Sequence, residues 1–365
     1  MPKNAGIRSS RKDSIMKIGL AGYSGSGVTS VLALFSQDLG LLGRHGSPEI
    51  RSIKLHDPRL QRLTELFNPR KVTPVQLDIV ELGDLRPERG GGLRKETVGR
   101  AAGLDALAVV LRGFEAPMSP RIRSPEELMK EMSSLFDEFT LTDMMPVEGR
   151  LERLEKEGKG SSREASLLKR IRARLEDGES VRSMGLTPDE DRSIAGYQFL
   201  TRTPLYVLVN VGEDGAGKVQ YPELEATCVS DGIGYMEICG KAELELLEIP
   251  EEERAVFQEE LGLGLSSKDR FITGAFELID LITFFTVGED EVRGWTVPNG
   301  IKAAEAAGKI HSDLQRGFIR AEVLPWDDCL ALGGLAAAKE TGRLRIEGKE
   351  YILKDGEIFH VRFNV

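Results

Sequence analysis

Near its start the chain reads Lys17-Ile18-Gly19-Leu20-Ala21-Gly22-Tyr23-Ser24-Gly25-Ser26-Gly27-Val28-Thr29-Ser30. This pattern predicts a short strand, a glycine-rich turn and the start of a helix. It nearly matches the phosphate-binding loop G-x-x-x-x-G-K-[ST]. Gly22 and Gly27 occupy the two glycine positions and Thr29 the hydroxyl position, but Val28 replaces the lysine. The stretch therefore predicts a nucleotide-binding architecture that lacks the charged residue of its loop.

Strands and helices alternate outward from this loop. Strands are predicted at 17–21, 50–55, 75–80, 106–111, 204–211 and 235–239, and helices at 29–37, 58–67 and 254–261. Such alternation is typical of a parallel sheet covered by helices. The run Arg86-Pro87-Glu88-Arg89-Gly90-Gly91-Gly92 predicts an irregular, mobile loop instead.

The composition is that of a globular protein with more than one domain. The chain has 365 residues, of which 40% are hydrophobic and 30% charged, and its net charge of −10 argues against non-specific coating of nucleic acid. No apolar run is long enough for a membrane span, and residues 1–15 are predicted to be a disordered tail without a signal peptide. The three cysteines are sparse, which predicts reduced thiols in a cytoplasmic protein, and neither they nor the four histidines have metal-ligand spacing.

Residues 121–200 change to a helical pattern. A helix is predicted from Ser124-Pro125 onward, Gly158–Ser162 turns the chain, and a return helix carries Leu168, Ile171 and Leu175. This spacing predicts an antiparallel helical hairpin of the coiled-coil type, with Pro146 kinking or interrupting the first arm. Residues 150–182 contain ten Lys or Arg and seven Asp or Glu. This mild excess leaves two readings, a solvated helix surface or a surface that faces RNA.

The last 85 residues or so are predicted to be a separate small α+β unit. Residues 281–287 and 292–297 flank an acidic turn and predict a hairpin. Residues 351–353 and 357–365 flank Lys354-Asp355-Gly356 and predict a second hairpin.

From Met16 onward the chain resembles the YchF/Obg-like ATPase family, a branch of the translation-factor class of P-loop GTPases. The resemblance is most specific at the C-terminus, where five segments resemble the TGS domain of that family: 281–288, 291–296, 306–313, 317–323 and 363–365. It implies an α/β fold with a Ras-like P-loop NTPase domain, an inserted helical hairpin and a C-terminal β-grasp TGS domain. The implied boundaries are 1–15 for the tail, 16–120 with 201–280 for the nucleotide-binding domain, 121–200 for the hairpin and 281–365 for the TGS domain.

The motif and the resemblance together assign the nucleotide site. The phosphate-binding residues are Gly22, Ser24, Gly25, Ser26, Gly27, Val28, Thr29 and Ser30. The base-binding residues, from the motif N-x-x-E and a second loop, are Asn210, Val211, Glu213, Cys239, Gly240 and Lys241. Mg²⁺ is expected on Thr29 and on Asp78, which is predicted to lie near the end of its strand. The implied partners are ATP or GTP, and the ribosome or RNA.

Four departures from the family pattern affect the γ-phosphate end of this site. Val28 replaces the lysine, and Asp78-Ile79-Val80-Glu81 has a glutamate where the family has the glycine of D-x-x-G. Residues 40–47 lack the threonine of a switch segment, and residues 115–119 lack a histidine.

Three functions follow from this pattern. The first is a nucleotide-binding regulator of the ribosome or RNA with weakened or absent hydrolysis. The second is an active ATPase in which Arg94 or Lys95 replaces the missing lysine. The third is a scaffold that binds no nucleotide and only presents the hairpin and the TGS domain to a partner.

Overall fold

The computed structural model describes residues 15–42, 50–87, 91–115, 123–260, 262–263 and 266–364. Two compact units are present in it. Unit 1 contains Met16–Ser52 and Asp78–Leu278, and unit 2 contains Ile53–Leu77 and the chain from Ile279 onward. The tail predicted at 1–15 lies outside the described residues except for Ile15.

The strands of the two units are β1 Met16–Gly22, β2 Ile50–Lys54, β3 Lys71–Thr73, β4 Gln76–Asp84, β5 Ala106–Gly113, β6 Leu205–Val211, β7 Gly234–Ile238, β8 Leu281–Thr286, β9 Glu291–Pro298, β10 Phe318–Pro325, β11 Arg345–Glu347 and β12 Glu357–Phe363. The helices are α1 Val28–Ser36, α2 Pro58–Phe67, α3 Lys95–Ala101, α4 Pro125–Lys156, α5 Arg163–Glu176, α6 Pro188–Ile194, α7 Pro222–Ser230, α8 Gly240–Glu248, α9 Glu251–Glu260, α10 Ser267–Leu278, α11 Ala303–Ile310, α12 Ser312–Arg316, α13 Trp326–Leu332 and α14 Leu335–Glu340.

Unit 1 is built on a six-stranded sheet with the order β2-β4-β1-β5-β6-β7. The pairs β1–β5, β5–β6 and β6–β7 are parallel, so the carboxyl ends of these strands meet at one edge. β5 and β6 consist of nearly continuous apolar residues, because helices cover both faces of the sheet. α1 and α10 meet through the stacked rings of Phe35 and Phe271, with centroids 4.8 Å apart. The predicted α/β architecture is confirmed.

The helical hairpin of unit 1 begins with a capping box, in which Ser124 accepts from the N–H of Glu127 and the Glu127 side chain accepts from the N–H of Ser124. The first half of α4 packs into the main core through Leu128, Met132, Leu135 and Phe139. Its second half packs against α5, where Val147, Leu151 and Leu154 meet Leu168, Ile171 and Leu175. The hairpin arms are therefore shorter than the helix itself.

Pro146 does not interrupt α4, since the helix runs from Pro125 to Lys156. The expected interruption is therefore wrong, and the alternative, a kink at Pro146, stays a prediction. Buried contacts on both sides, at Thr142 and Asp143 before it and Val147 after it, hold the two halves of the helix in place. Tertiary packing thus outweighs the hydrogen bond that a proline removes.

Unit 2 contains a second six-stranded sheet with the order β11-β10-β12-β8-β9-β3. The predicted β8–β9 hairpin is confirmed, and β12 lies parallel to β8. The second predicted hairpin is wrong: Ile352 forms only an isolated bridge to Lys302, and β12 pairs antiparallel with β10. The Asp-Gly turn at 355–356 therefore ends a loop and does not join two strands.

Residues 53–77 belong to unit 2, although the sequence analysis places them in the nucleotide-binding domain. Leu60 and Leu63 of α2 cover an apolar face of the second sheet that includes Phe285 and Val292. Arg59 is bound to Asp57 and, at 2.6 Å, to Asp355, and its guanidinium lies 5.3 Å from the centroid of the Phe285 ring. That face would otherwise expose its apolar side chains to water.

All three cysteines, Cys228, Cys239 and Cys329, are free and buried. Among the described residues, the helices are too short or too polar to cross a bilayer.

Candidate functional site

The glycine-rich loop connects the end of β1 to the start of α1. Gly25 and Gly27 have φ angles of 86° and 94°, in the region that favours glycine, and Gly27 precedes the first helical residue without a side-chain cap. Among the described residues, no side chain caps the start of α1. Its first N–H groups and the positive end of the helix therefore point into the space enclosed by the loop. This is the geometry that binds phosphate.

Two of the loop glycines are in close contact with their surroundings. A Cβ atom on Gly22 would overlap Ser26 Oγ and the carbonyl oxygen of Val110, and one on Gly27 would overlap the amide nitrogen of Asn210. By contrast, a Cβ on Gly25 would meet no atom of the described part of the chain within 4 Å. The loop therefore needs glycine at 22 for packing, and at 27 for both packing and backbone conformation.

Asn210, predicted from sequence to bind the base, is a buried brace with 5% of its surface exposed. Its Nδ2 donates to the carbonyl oxygen of Ser26 at 3.2 Å, and its Oδ1 accepts from the N–H of Gly240 at 3.1 Å. One side chain thus ties the phosphate loop to the second base loop. The motif N-x-x-E identifies this residue but does not reveal the brace.

Val28 occupies the lysine position without replacing its function. Its side chain is half-buried, and Cγ2 lies 3.0 Å from the position that a Cβ on Gly22 would take. Arg94 and Lys95, the expected substitutes, are exposed at the start of α3, and within the described residues neither has a hydrogen bond or ion pair with the loop. The side chain at this position is therefore an aliphatic group folded back over the loop.

The expectation that Asp78 binds Mg²⁺ beside Thr29 does not fit the structure. β4 continues to Asp84, and the next residue, Leu85, donates its N–H to the carbonyl oxygen of Gly22 at 3.3 Å. Asp78 lies six residues earlier than Asp84, or about 20 Å at 3.3 Å per residue. Its carboxylate accepts a hydrogen bond from Ser52 Oγ at 2.6 Å.

β4 brings the carboxylate of Asp84 to the loop, because the next residue, Leu85, bonds to Gly22. Asp84, and not Asp78, is therefore the acidic residue at the strand end beside the loop. The apolar pattern of the strand continues through Leu82, which is buried. This continuing apolar pattern was the feature of the sequence that could have shown that the strand extends beyond Val80.

Acidic side chains lie next to the first variable residue of the loop, Tyr23. Burial, followed by the negative charges of Glu138 and Asp84, raises the pKa of the Tyr23 phenol. Asp84 is largely buried and forms an ion pair with Arg86, while Glu138 accepts from the N–H of Gly92 at 2.5 Å. These residues do not belong to any motif, so sequence reasoning missed them.

The remaining base-site residues lie on the loops after β6 and β7. Val211 and Cys239 are buried and line a cavity of about 260 Å³, and burial raises the pKa of the Cys239 thiol. Glu213 and Lys241 are exposed and form an ion pair of 2.5 Å, and the Glu213 hydrogen bond raises the pKa of Lys241. The structure therefore places all six predicted residues at one end of β6 and β7.

Two of the predicted departures cannot be located. Residues 43–49, which include most of the segment without a threonine, and residues 116–120 lie outside the described residues.

A parallel sheet with a glycine-rich loop before α1, an inserted hairpin and a β-grasp unit define a P-loop NTPase-type protein of the translation-factor class. Its C-terminal residues 281–364 match the family model YchF-GTPase_C, described as a protein of unknown function. Two similar proteins are named "Ribosome-binding ATPase YchF". The one from Bacillus subtilis (strain 168) is 34% identical and the one from Escherichia coli O157:H7 32% identical, each match covering 87% of this chain and 90% of the relative. The chain belongs to the YchF family.

A solved structure leads to the same family. The YchF GTPase of Schizosaccharomyces pombe matches with a TM-score of 0.82 and 25% identity, over 98% of this chain and all of that one. The resemblance stated from the sequence is confirmed.

Proposed function

We propose that this chain is a purine-nucleotide-binding member of the YchF family that acts on the ribosome or on RNA, with weakened or absent hydrolysis. One observation carries this proposal. The loop retains its left-handed glycines, its uncapped helix start and its brace from Asn210, while an aliphatic residue replaces the lysine. The backbone donors of the loop support nucleotide binding, and the loss of the charged group supports weakened hydrolysis.

The missing lysine affects turnover more than binding. A hydrogen bond to a charged group contributes about 1.5–3 kcal/mol, so its loss reduces affinity about 10- to 100-fold. Phosphoryl transfer depends almost entirely on positioning and charge stabilisation, so the loss in rate is larger still. Mg²⁺ is expected to accompany the nucleotide on the hydroxyl of Thr29, and not on Asp78, because Asp78 lies about 20 Å along β4 from Asp84.

The base loops support purine recognition. Asn210 holds the two loops together, and Glu213 is exposed where it can accept hydrogen bonds from a base. For that it must exchange its ion pair with Lys241, which is worth little because both side chains are exposed.

The partner is inferred from the relatives, whose printed names include ribosome binding. The ribosome or RNA would be contacted through unit 2 and the mildly basic hairpin, and this work takes place in the cytoplasm. Co-sedimentation of the full chain with purified ribosomes, with and without nucleotide, tests this part. Absence of the chain from the ribosome pellet in every condition would rule it out.

Calorimetric titration of the full chain with ATP, ADP, GTP and GDP in Mg²⁺ tests nucleotide binding. We expect micromolar to submillimolar binding that Gly27→Ala weakens more than Gly25→Ala, because both share a left-handed φ and only Gly27 also meets Asn210. Absence of a binding signal with all four nucleotides at millimolar concentration would refute the nucleotide-binding function. The remaining function would then be the scaffold that presents the hairpin and the TGS domain to a partner.

A further inference from the structure

The phosphate end of the site has a charge pattern of its own. The N–H groups of a P-loop surround the α- and β-phosphates, whereas its lysine reaches the β- and γ-phosphates. In this chain the first set of contacts is intact and the second is replaced by Val28. The loss therefore falls on the γ-phosphate side and not on the whole nucleotide.

The end of β4 adds an ion pair, but no net positive charge, on that same side. The hydrogen bond from Leu85 to the carbonyl oxygen of Gly22 fixes Asp84 beside the first glycine of the loop. About four fifths of the Asp84 side chain is buried, and its ion-pair partner Arg86 is 65% exposed. Arg86 cancels the charge of Asp84 but does not make this end positive.

Glu138 supplies a further carboxylate from α4. Its Oε2 accepts the N–H of Gly92 at 2.5 Å, and the neighbouring N–H of Leu93 donates to Thr142 Oγ1 at 2.9 Å. These two bonds hold the segment before α3 against α4. After burial, the negative charges of Glu138 and Asp84 both raise the pKa of the phenol of Tyr23, the residue that follows Gly22. Asp84, Arg86 and Glu138 together carry a net charge of −1, and the lysine that would offset it is absent.

We infer that the site is selective for nucleoside diphosphates over the corresponding triphosphates. The γ-phosphate would bring about two more negative charges to a place where, within the described residues, Asp84 is paired with Arg86, Glu138 has no ion-pair partner and Val28 replaces the lysine. The diphosphate uses the backbone N–H groups and avoids this repulsion. The inference rests on the proposed nucleotide-binding function and deepens it.

The experiment is calorimetric titration of the full chain in Mg²⁺ with two pairs of ligands, ADP with the non-hydrolysable β,γ-methylene analogue of ATP, and GDP with the corresponding GTP analogue. We expect the diphosphate of the preferred base to bind at least about tenfold more tightly than its triphosphate analogue. Equal affinity, or tighter binding of the triphosphate analogue, would overturn the selectivity and leave the nucleotide-binding function intact. Absence of binding by all four ligands would overturn both.

Variants assign the cause. Val28→Lys is expected to raise affinity for the triphosphate analogue about tenfold or more and to raise diphosphate affinity less. Glu138→Gln is expected to raise triphosphate affinity a few-fold. Glu148→Gln makes the same charge change on the same helix, about 15 Å along its axis, and is expected to change neither affinity. Equal gains for both ligands in Val28→Lys, or equal effects of the two glutamine variants, would contradict the mechanism.

Discussion

Replacing Asn210 by alanine tests the link between the fold and the site. The side chain is 5% exposed and forms two buried hydrogen bonds, to Ser26 O and from Gly240 N. Alanine leaves both backbone groups buried without a partner. Each such loss costs about 1–3 kcal/mol, so the free energy of unfolding of unit 1 should fall by about 2–6 kcal/mol. Nucleotide affinity should fall with it, because the Ser26–Gly27 peptide is no longer held.

The assay combines urea unfolding followed by far-UV circular dichroism with calorimetric titration of the nucleotide. Asn210→Asp is the matched control. It retains the acceptor for Gly240 but loses the donor to Ser26 unless the carboxyl is protonated. It should therefore be less stable at pH 7 than at pH 5, relative to the native protein. Unchanged unfolding of Asn210→Ala, within about 0.5 kcal/mol, would refute the brace, because that is the range of substitutions that touch nothing.

Three further predictions concern the core and the loop. Burial outweighs the three hydrogen bonds that Asp143 accepts and raises its pKa to about 6. The stabilising contribution of the protonated Asp143 is therefore complete below about pH 4 and is lost as the pH rises through 6. Urea unfolding at several pH values should show the free energy of unfolding fall by about 2–3 kcal/mol over this range, a fall that Asp143→Asn lacks. Leu63→Ala, at a fully buried site in unit 2, should lower the free energy of unfolding of that unit by about 2–5 kcal/mol. Tryptophan fluorescence can follow this unfolding because both tryptophans belong to unit 2, and the control Arg62→Ala, at an exposed neighbour, should lower it by less than about 0.5 kcal/mol. Gly27→Ala should lower the melting temperature more than Gly25→Ala, because the two share a left-handed φ and only the first meets Asn210; equal effects would mean that backbone strain alone matters.

Local pattern was sufficient for much of this protein. Strands such as β5 and helices such as α2 were predictable to within a residue or two, because a continuous apolar run and an Asp-Pro helix start act over short distances. The loop was recognisable for the same reason, since its glycines follow one another in the chain. The substitution at Val28 was visible without any structure.

The strand ends and strand partners that depend on residues distant in the chain were not predictable. The sequence analysis ended the β4 strand at Val80 and so assigned the metal to Asp78, whereas β4 continues to Asp84. Strand ends depend on pairing with a neighbouring strand, here on the bond between Leu85 and Gly22, and that partner lies more than sixty residues away. The prediction of the second C-terminal hairpin was wrong for the same reason, because β12 pairs with β10 and β8 instead.

The sequence by itself determined the class of fold, the glycine-rich loop and the loss of its lysine. Only the tertiary structure decided that Asn210 is a brace, that α2 covers the second sheet, and that Asp84 and Glu138 lie beside Tyr23. The first set follows from neighbours within a few residues, where backbone preference and side-chain periodicity act. The second depends on burial and electrostatic contacts between segments that are distant in the chain, and these exist only once the sheets have formed.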